Sequence, residues 1–200
     1  MAHRRQGEDV DHTKSWSGLL LAGMLAAAPL AAAAADEIFL RLEGVKGESV
    51  DARHMAEIEL LSYTQTMTGP NARGTTSVGA GAGKTTCGPV TVMKYVDQAS
   101  PDLILYAMNG RPAARAIITF RKSGQNSFEY YRVTLENVVV TEVEQSNSRL
   151  NFPSPAPPRA IEKVSLMSQR LRFEYYGQQP DGRVGAAPKA GWDCAANAKL

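Results

Sequence analysis

Apolar residues recur at every second position through most of this chain, a period that commits it to β-structure. Ile38, Leu40 and Leu42 alternate with Phe39, Arg41 and Glu43, and Ile58 and Leu60 alternate with Glu57, Glu59 and Leu61. Alternation of this kind turns one strand face to a core and the other to water or a neighbour. Residues 116–121 (AIITFR) form a β-branched run suited to a more deeply buried strand. The longest stretch is 129–144, where Tyr131, Val133 and Leu135 oppose Arg132, Thr134 and Glu136. Its alternation breaks at Asn137, which predicts a bulge or bend that re-aims the strand. Residues 161–176 close a set of roughly six to eight strands, the number expected of a barrel or sandwich.

One helix is announced by its punctuation. Ser100 can act as N-cap, Pro101 suits the first helical position and Asp102 favours the positive end of the dipole. Leu103, Ile104, Ala107 and Met108 make the apolar stripe, and Gly110 supplies the stop. A helix this short must pack against the strands to persist. Two long polar stretches interrupt the pattern. Residues 64–88 are rich in glycine, which predicts a functional or mobile loop. Residues 146–159 contain FPSPAPPR and predict an extended, polyproline-like crossing.

The N-terminus has a different character. Residues 18–34 read GLLLAGMLAAAPLAAAA, follow Arg4, Arg5 and Lys14, and run through Ala33-Ala34-Ala35 to Asp36. That is the pattern of an export leader with an A-x-A cleavage site. The competing reading is a retained membrane anchor, for which the alanines and Pro29 make the run weakly apolar and barely long enough. The expected organisation is a leader over residues 1–35 and one domain over 36–200, with no stable membrane anchor. Apolar residues, at 44% of the chain, suffice for a core. A net charge of +2 without a basic block argues against a nucleic-acid partner. Cys87 and Cys194 are the only cysteines. In an oxidising compartment such a pair reads as a disulfide, and otherwise as two buried thiols.

Catalytic and cofactor signals are weak. Residues 79–85 (GAGAGKT) tempt a phosphate-loop reading, but the pattern needs glycine at the position of Val78. It also needs a helix after it, whereas Pro89, Val90, Thr91 and Val92 read as strand. His54 is the one histidine after the leader, which leaves no multi-histidine metal site. Its polar setting predicts a solvated surface residue. Glu57 and Glu59 read as a solvated strand face rather than a catalytic pair, and Trp192 as a core anchor, with an exposed residue at a subunit seam as the alternative. The expectation is a protein with no enzymatic activity, cofactor or metal.

Five segments in order then resemble one family. They are Asp36-Glu37-Ile38-Phe39-Leu40-Arg41-Leu42-Glu43-Gly44-Val45-Lys46-Gly47-Glu48-Ser49, then Glu57-Ile58-Glu59-Leu60-Leu61-Ser62 and Lys94-Tyr95-Val96-Asp97-Gln98-Ala99-Ser100-Pro101. Phe120-Arg121-Lys122-Ser123-Gly124 and the closing Gly191-Trp192-Asp193 complete them. The chain from Asp36 onward resembles the Hcp family, the haemolysin-coregulated tube proteins of type VI secretion systems. The resemblance implies a two-sheet β-barrel with one flanking helix, self-association into homohexameric rings, and stacking of rings into a tube. It implies a sheath and a spike protein as partners, and small effector proteins in the lumen. The long loop after the second strand becomes the ring-stacking contact, with Thr64, Gly69, Gly79, Gly81, Gly83 and Lys84 its candidate residues. Family tube subunits assemble in the cytoplasm and leave through the machine, which fits a true start downstream of Met1. A cleaved leader instead implies a secreted or periplasmic protein. The alternative function is then an exported, periplasmic Hcp-like binding module working outside the secretion machine.

Overall fold

The computed structural model describes residues 36–70, 84–124, 127–147, 159–179, 182–185 and 188–200. Among these residues, nine strands and one helix follow in the order β1 (Asp36–Leu42), β2 (Ile58–Leu60), β3 (Ser62–Thr68), β4 (Thr86–Tyr95), α1 (Ser100–Asn109), β5 (Ala113–Lys122), β6 (Phe128–Ser146), β7 (Ile161–Tyr175), β8 (Lys189–Asp193) and β9 (Ala198–Lys199). The protein is mainly β with one flanking helix. β9, two residues long, is too short to leave an alternation in the sequence.

All the pairings are antiparallel, and the sheet order is β2-β1-β5-β6-β7-β4-β3, with β8 beside β7 and β9 beside β8. The two end strands of this order, β2 and β3, are consecutive in the chain with only Leu61 between them. The Leu61 N–H donates to the Met93 carbonyl of β4 at 2.7 Å. One continuous segment therefore lies beside β1 in its first part and beside β4 in its second. A sheet with such ends has to curl back on itself.

The curl encloses one apolar cluster. Leu40 and Leu42 of β1, Ile58, Val90 and Val92, Ile118, Val133 and Leu135, and Val164, Leu166 and Leu171 are all buried in it. Each such side chain contributes roughly 1.5–3 kcal/mol relative to leaving it in water. α1 packs against β6 and inserts Leu103.

Three local expectations change. Ser100 is not the N-cap: the helix is preceded by Ala99 without a side-chain cap, and the Ser100 hydroxyl instead donates to Glu162 at 3.1 Å. Met108 is 79% exposed rather than part of the buried stripe, which Leu103, Ile104, Tyr106 and Ala107 form. Gly110 does end the helix in the left-handed conformation. Asn137 has φ +53°, yet the β6–β7 register is the same on both sides of it, with Glu136 opposite Arg170 and Val138 opposite Ser168. The register shift lies further on, between Val140 and Glu142. There the Thr141 hydroxyl donates to the Ser165 carbonyl at 3.1 Å.

The predicted loop over 64–88 is also trimmed. Thr64–Thr68 belong to β3 and Thr86–Gly88 to β4. Threonine is β-branched and suits a pleated, half-exposed surface, so a polar run can be strand. The proline-rich crossing over 152–158 lies outside the described residues.

Candidate assembly surfaces

Residues 43–57, between β1 and β2, form an ordered cover over one outer part of the sheet. Gly44 turns with φ +88°. Gly47 lies so close to the Glu57 carbonyl that a Cβ there has no room. Backbone bonds from Gly47 N–H to Ala56 O (2.8 Å) and Ser49 N–H to Glu57 O (3.0 Å) fold the segment on itself. The Gln98 side chain donates to the Gly47 carbonyl and ties the segment to the approach of α1.

The underside of this cover holds the residue that sequence reasoning misplaced. His54 is 4% exposed, not a solvated surface residue. Its ring stacks on Phe39 of β1, centroids 4.1 Å apart and planes within 6°. The Arg121 guanidinium lies 5.0 Å from the centroid of the same Phe39 ring. Phe39 is thus buried although it points away from the main core. His54 Nδ1 is 2.9 Å from a Glu57 oxygen, so Glu57 is engaged rather than solvated, while Glu59 is exposed. His54 Nε2 is 3.8 Å from Glu129 and has no hydrogen-bond partner among the described residues. The period-two pattern could not show this, because the covering residues come from a segment without periodicity.

Arg121 fastens the cover electrostatically. It donates to Glu37 through Nε at 2.7 Å and to Asp51 through a terminal nitrogen at 2.7 Å. That hydrogen bond holds the Asp51 carboxyl well below the usual carboxylate range, helped by the Arg53 backbone N–H. Beside it, burial and then a hydrogen bond to Asp36 push the Tyr130 hydroxyl up to about 12.

At the approach to α1, a second polar cluster is buried outright. Lys94 donates to Glu162 (3.0 Å), Asp97 (2.7 Å), Ser100 (3.2 Å) and the Tyr95 carbonyl (2.7 Å). Gln145 donates to the other Glu162 oxygen at 2.7 Å. These bonds explain physically why the 94–101 segment has its sequence: it turns β4 into α1 around a satisfied ammonium group.

The candidate stacking residues are dispersed. Thr64 is within β3, opposite Thr91, and Gly69 is exposed just beyond the strand. Lys84 is exposed just before β4, and Gly79, Gly81 and Gly83 lie outside the described residues. A strand rather than a helix follows Lys84, so the setting of a phosphate loop is absent there. Cys87, on β4 opposite Met67, is disulfide-bonded to Cys194 just past β8. Nearby, the Thr85 N–H donates to the Asn197 side chain at 3.0 Å. Together they pin the C-terminal hairpin to the base of the β3–β4 connection. Trp192 on β8 is half-buried and lies outside the main apolar cluster, so it is not the core anchor expected, and its buried Nε1 has no hydrogen-bond partner among the described residues. No group of three or more His, Cys, Asp or Glu able to hold a metal occurs among the described residues.

The family model described as "Type VI secretion system effector, Hcp" matches residues 39–175, from β1 to the end of β7. This chain belongs to the Hcp family. Protein hcp1 of Pseudomonas aeruginosa is 30% identical over 163 residues, which is 80% of this chain and 96% of that protein. The crystal structure of Hcp1 from Salmonella typhimurium is 31% identical, with a TM-score of 0.67 over 83% of this chain and 99% of that one. A further structure of a type six secretion system protein, 22% identical, has a TM-score of 0.74 over 83% of this chain and 100% of its own, and shows the shared fold.

Within this Hcp fold, several large apolar side chains face solvent from ordered backbone. Val50 (83% exposed) and Met55 stand on the cover segment, and Leu105 and Met108 on α1. β3 has β4 as its one strand partner among the described residues. Apolar side chains and an open strand edge are what a self-associating subunit presents. No helix among the described residues is long and apolar enough to cross a membrane.

Proposed function

We propose that this chain is a non-enzymatic, ring-forming structural subunit of the type VI secretion tube. It forms homohexameric rings that stack, and small effector proteins ride in the lumen. The observation that carries this reading is the family match, which takes in nearly the whole curled sheet. The open β3 edge and the exposed Val50, Met55, Leu105 and Met108 supply surfaces for contacts between subunits. Stacking uses the connection that begins at Gly69 and ends at Lys84. The 36–200 domain assembles in the cytoplasm, with a sheath, a spike protein and effectors as partners, and leaves through the machine. Size-exclusion chromatography with light scattering tests the assembly: a hexamer is expected, and a strictly monomeric protein at high concentration would overturn it.

The Cys87–Cys194 disulfide favours a second reading, because such bonds persist in oxidising compartments. Here the chain is an exported, periplasmic binding module that reuses the fold outside the machine. A small-molecule thermal-shift screen separates the two. A saturable hit on a monomer supports the module, and hexamers without a hit support the tube.

A further inference from the structure

His54 carries an unanswered polar atom. Its Nε2 is buried and has no hydrogen-bond partner among the described residues. It faces Glu129, whose Oε1 lies 3.8 Å away, beyond hydrogen-bond reach. The other ring nitrogen, Nδ1, is 2.9 Å from Glu57 Oε2. A carboxylate only accepts, so Nδ1 carries the hydrogen and Nε2 is a bare lone pair opposite a second carboxylate. Glu129 meanwhile accepts from Arg132 at 2.7 Å through its other oxygen. A bulge creates that contact. Phe120 pairs with Tyr131 and Arg121 with Glu129, which leaves Tyr130 as the extra residue and turns Glu129 and Arg132 to one face. The two line a cleft of about 370 Å³, together with Phe128, Tyr176 and Arg53 of the cover segment. Arg53 is exposed, and the Arg132 guanidinium lies 5.6 Å from the Tyr176 ring centroid.

We propose that this cleft binds an acidic peptide through one carboxylate, which takes the place on Arg132 that Glu129 now fills. Glu129 is the protein's own stand-in for the ligand, and shows that the planar guanidinium presents its fork to a carboxylate there. The Phe128 and Tyr176 rings give an apolar neighbour of that carboxylate a surface to pack on, and Arg53 adds a second guanidinium. The volume suits one or two side chains rather than a folded partner. The displaced Glu129 has its receptor ready. A shift of about 1 Å brings Oε1 onto His54 Nε2, where a proton taken from water completes the hydrogen bond. The charges facing His54 favour that state. Asp51 of its own segment is paired with Arg121 of β5, which reaches His54 only across the shared Phe39 ring. Glu57 and Glu129 are then left to flank one imidazolium. Each carboxylate bound therefore takes up one proton. The site is built within a single chain and does not depend on ring assembly.

Isothermal titration calorimetry of the full chain with the capped dipeptide Phe-Glu tests the site. Saturable binding is expected, and capped Phe-Gln, which lacks only the charge, should bind at least about tenfold more weakly. Equal binding of the two, or no binding of Phe-Glu at about 10 mM, would overturn the proposal. Inorganic phosphate that displaces Phe-Glu at equal concentration would overturn the carboxylate assignment. Arg132→Gln should weaken Phe-Glu binding at least about tenfold, with far-ultraviolet circular dichroism confirming the fold. Glu129→Gln separates the exchange from a structural role. Removing the internal competitor should tighten binding at least about threefold and abolish the proton uptake, read as the dependence of binding heat on the buffer's ionisation enthalpy. Unchanged or weaker binding by Glu129→Gln, or no proton uptake by the unsubstituted protein, would overturn the exchange.

Discussion

Lys94 Nζ lies 3.0 Å from Glu162 Oε1, and neither side chain has any exposure to solvent. The pair joins β4 to β7 where the chain turns into α1, and Asp97, Ser100 and Gln145 complete its hydrogen bonds. A buried pair of this kind is weak as a net source of stability but costly to break from one side. Lys94→Met, which strands the Glu162 carboxylate, should therefore cost about 3–5 kcal/mol. The double change Lys94→Met with Glu162→Leu should recover much of that loss. Urea midpoints of the three proteins decide the matter.

Acid should loosen the cover segment. Asp51 has a folded carboxyl held below its unfolded value, so its contribution is present above the unfolded range near about pH 4 and is lost as pH falls below it. Stability measured by urea unfolding between about pH 7 and pH 2 should decline through that window. Asp51→Asn should flatten the decline.

Gly47 is held against the Glu57 carbonyl, and alanine there should lift residues 43–57 from the sheet. The stack of His54 on Phe39 should weaken with it. Near-ultraviolet circular dichroism and faster exchange of the Ala56 amide should report the change, while far-ultraviolet signals from the sheet persist.

The disulfide spans 107 residues of chain. In the chain-entropy account, closing so long a loop contributes up to about 4–5 kcal/mol, and often less. Cys87→Ser with Cys194→Ser should lower Tm, and a reductant should do the same to the unsubstituted protein. Non-reducing peptide mapping should find the two cysteines joined.

Val50 is exposed and touches little of its own fold, so Val50→Glu should change unfolding stability by no more than about 0.5 kcal/mol. If the cover segment meets a neighbouring subunit, the same change should lower the hexamer fraction in light scattering. An unchanged hexamer fraction would place the interface elsewhere.

How much was legible depends on where a residue's neighbours come from. Ile38, Leu40, Leu42, Val133 and Leu135 declare their burial through alternation, because a strand face is a local property. Leu103 and Gly110 declare a helix for the same reason. His54 could not be read in this way: its neighbours are a β1 ring about fifteen residues back in the chain and carboxylates at positions 57 and 129. Lys94 and Glu162 lie 68 residues apart in the chain, and only the pairing of β4 with β7 brings them together. Thr64–Thr68 looked like loop because polar β-branched residues satisfy both descriptions, and pairing with β4 settles which applies.

By itself, the sequence determined a mainly β domain with one short helix, its membership marked by five ordered segments, and a cysteine pair able to bond. Those are consequences of period, punctuation and residue type, which act over a few residues. The tertiary structure decided that β2 and β3 are one segment with different partners on its two sides, that residues 43–57 cap Phe39, and that Lys94 is buried with its counter-charges. These features depend on which distant segments share a ladder. Hydrogen-bond pairing between strands far apart in the chain leaves little local mark on the residues that make it.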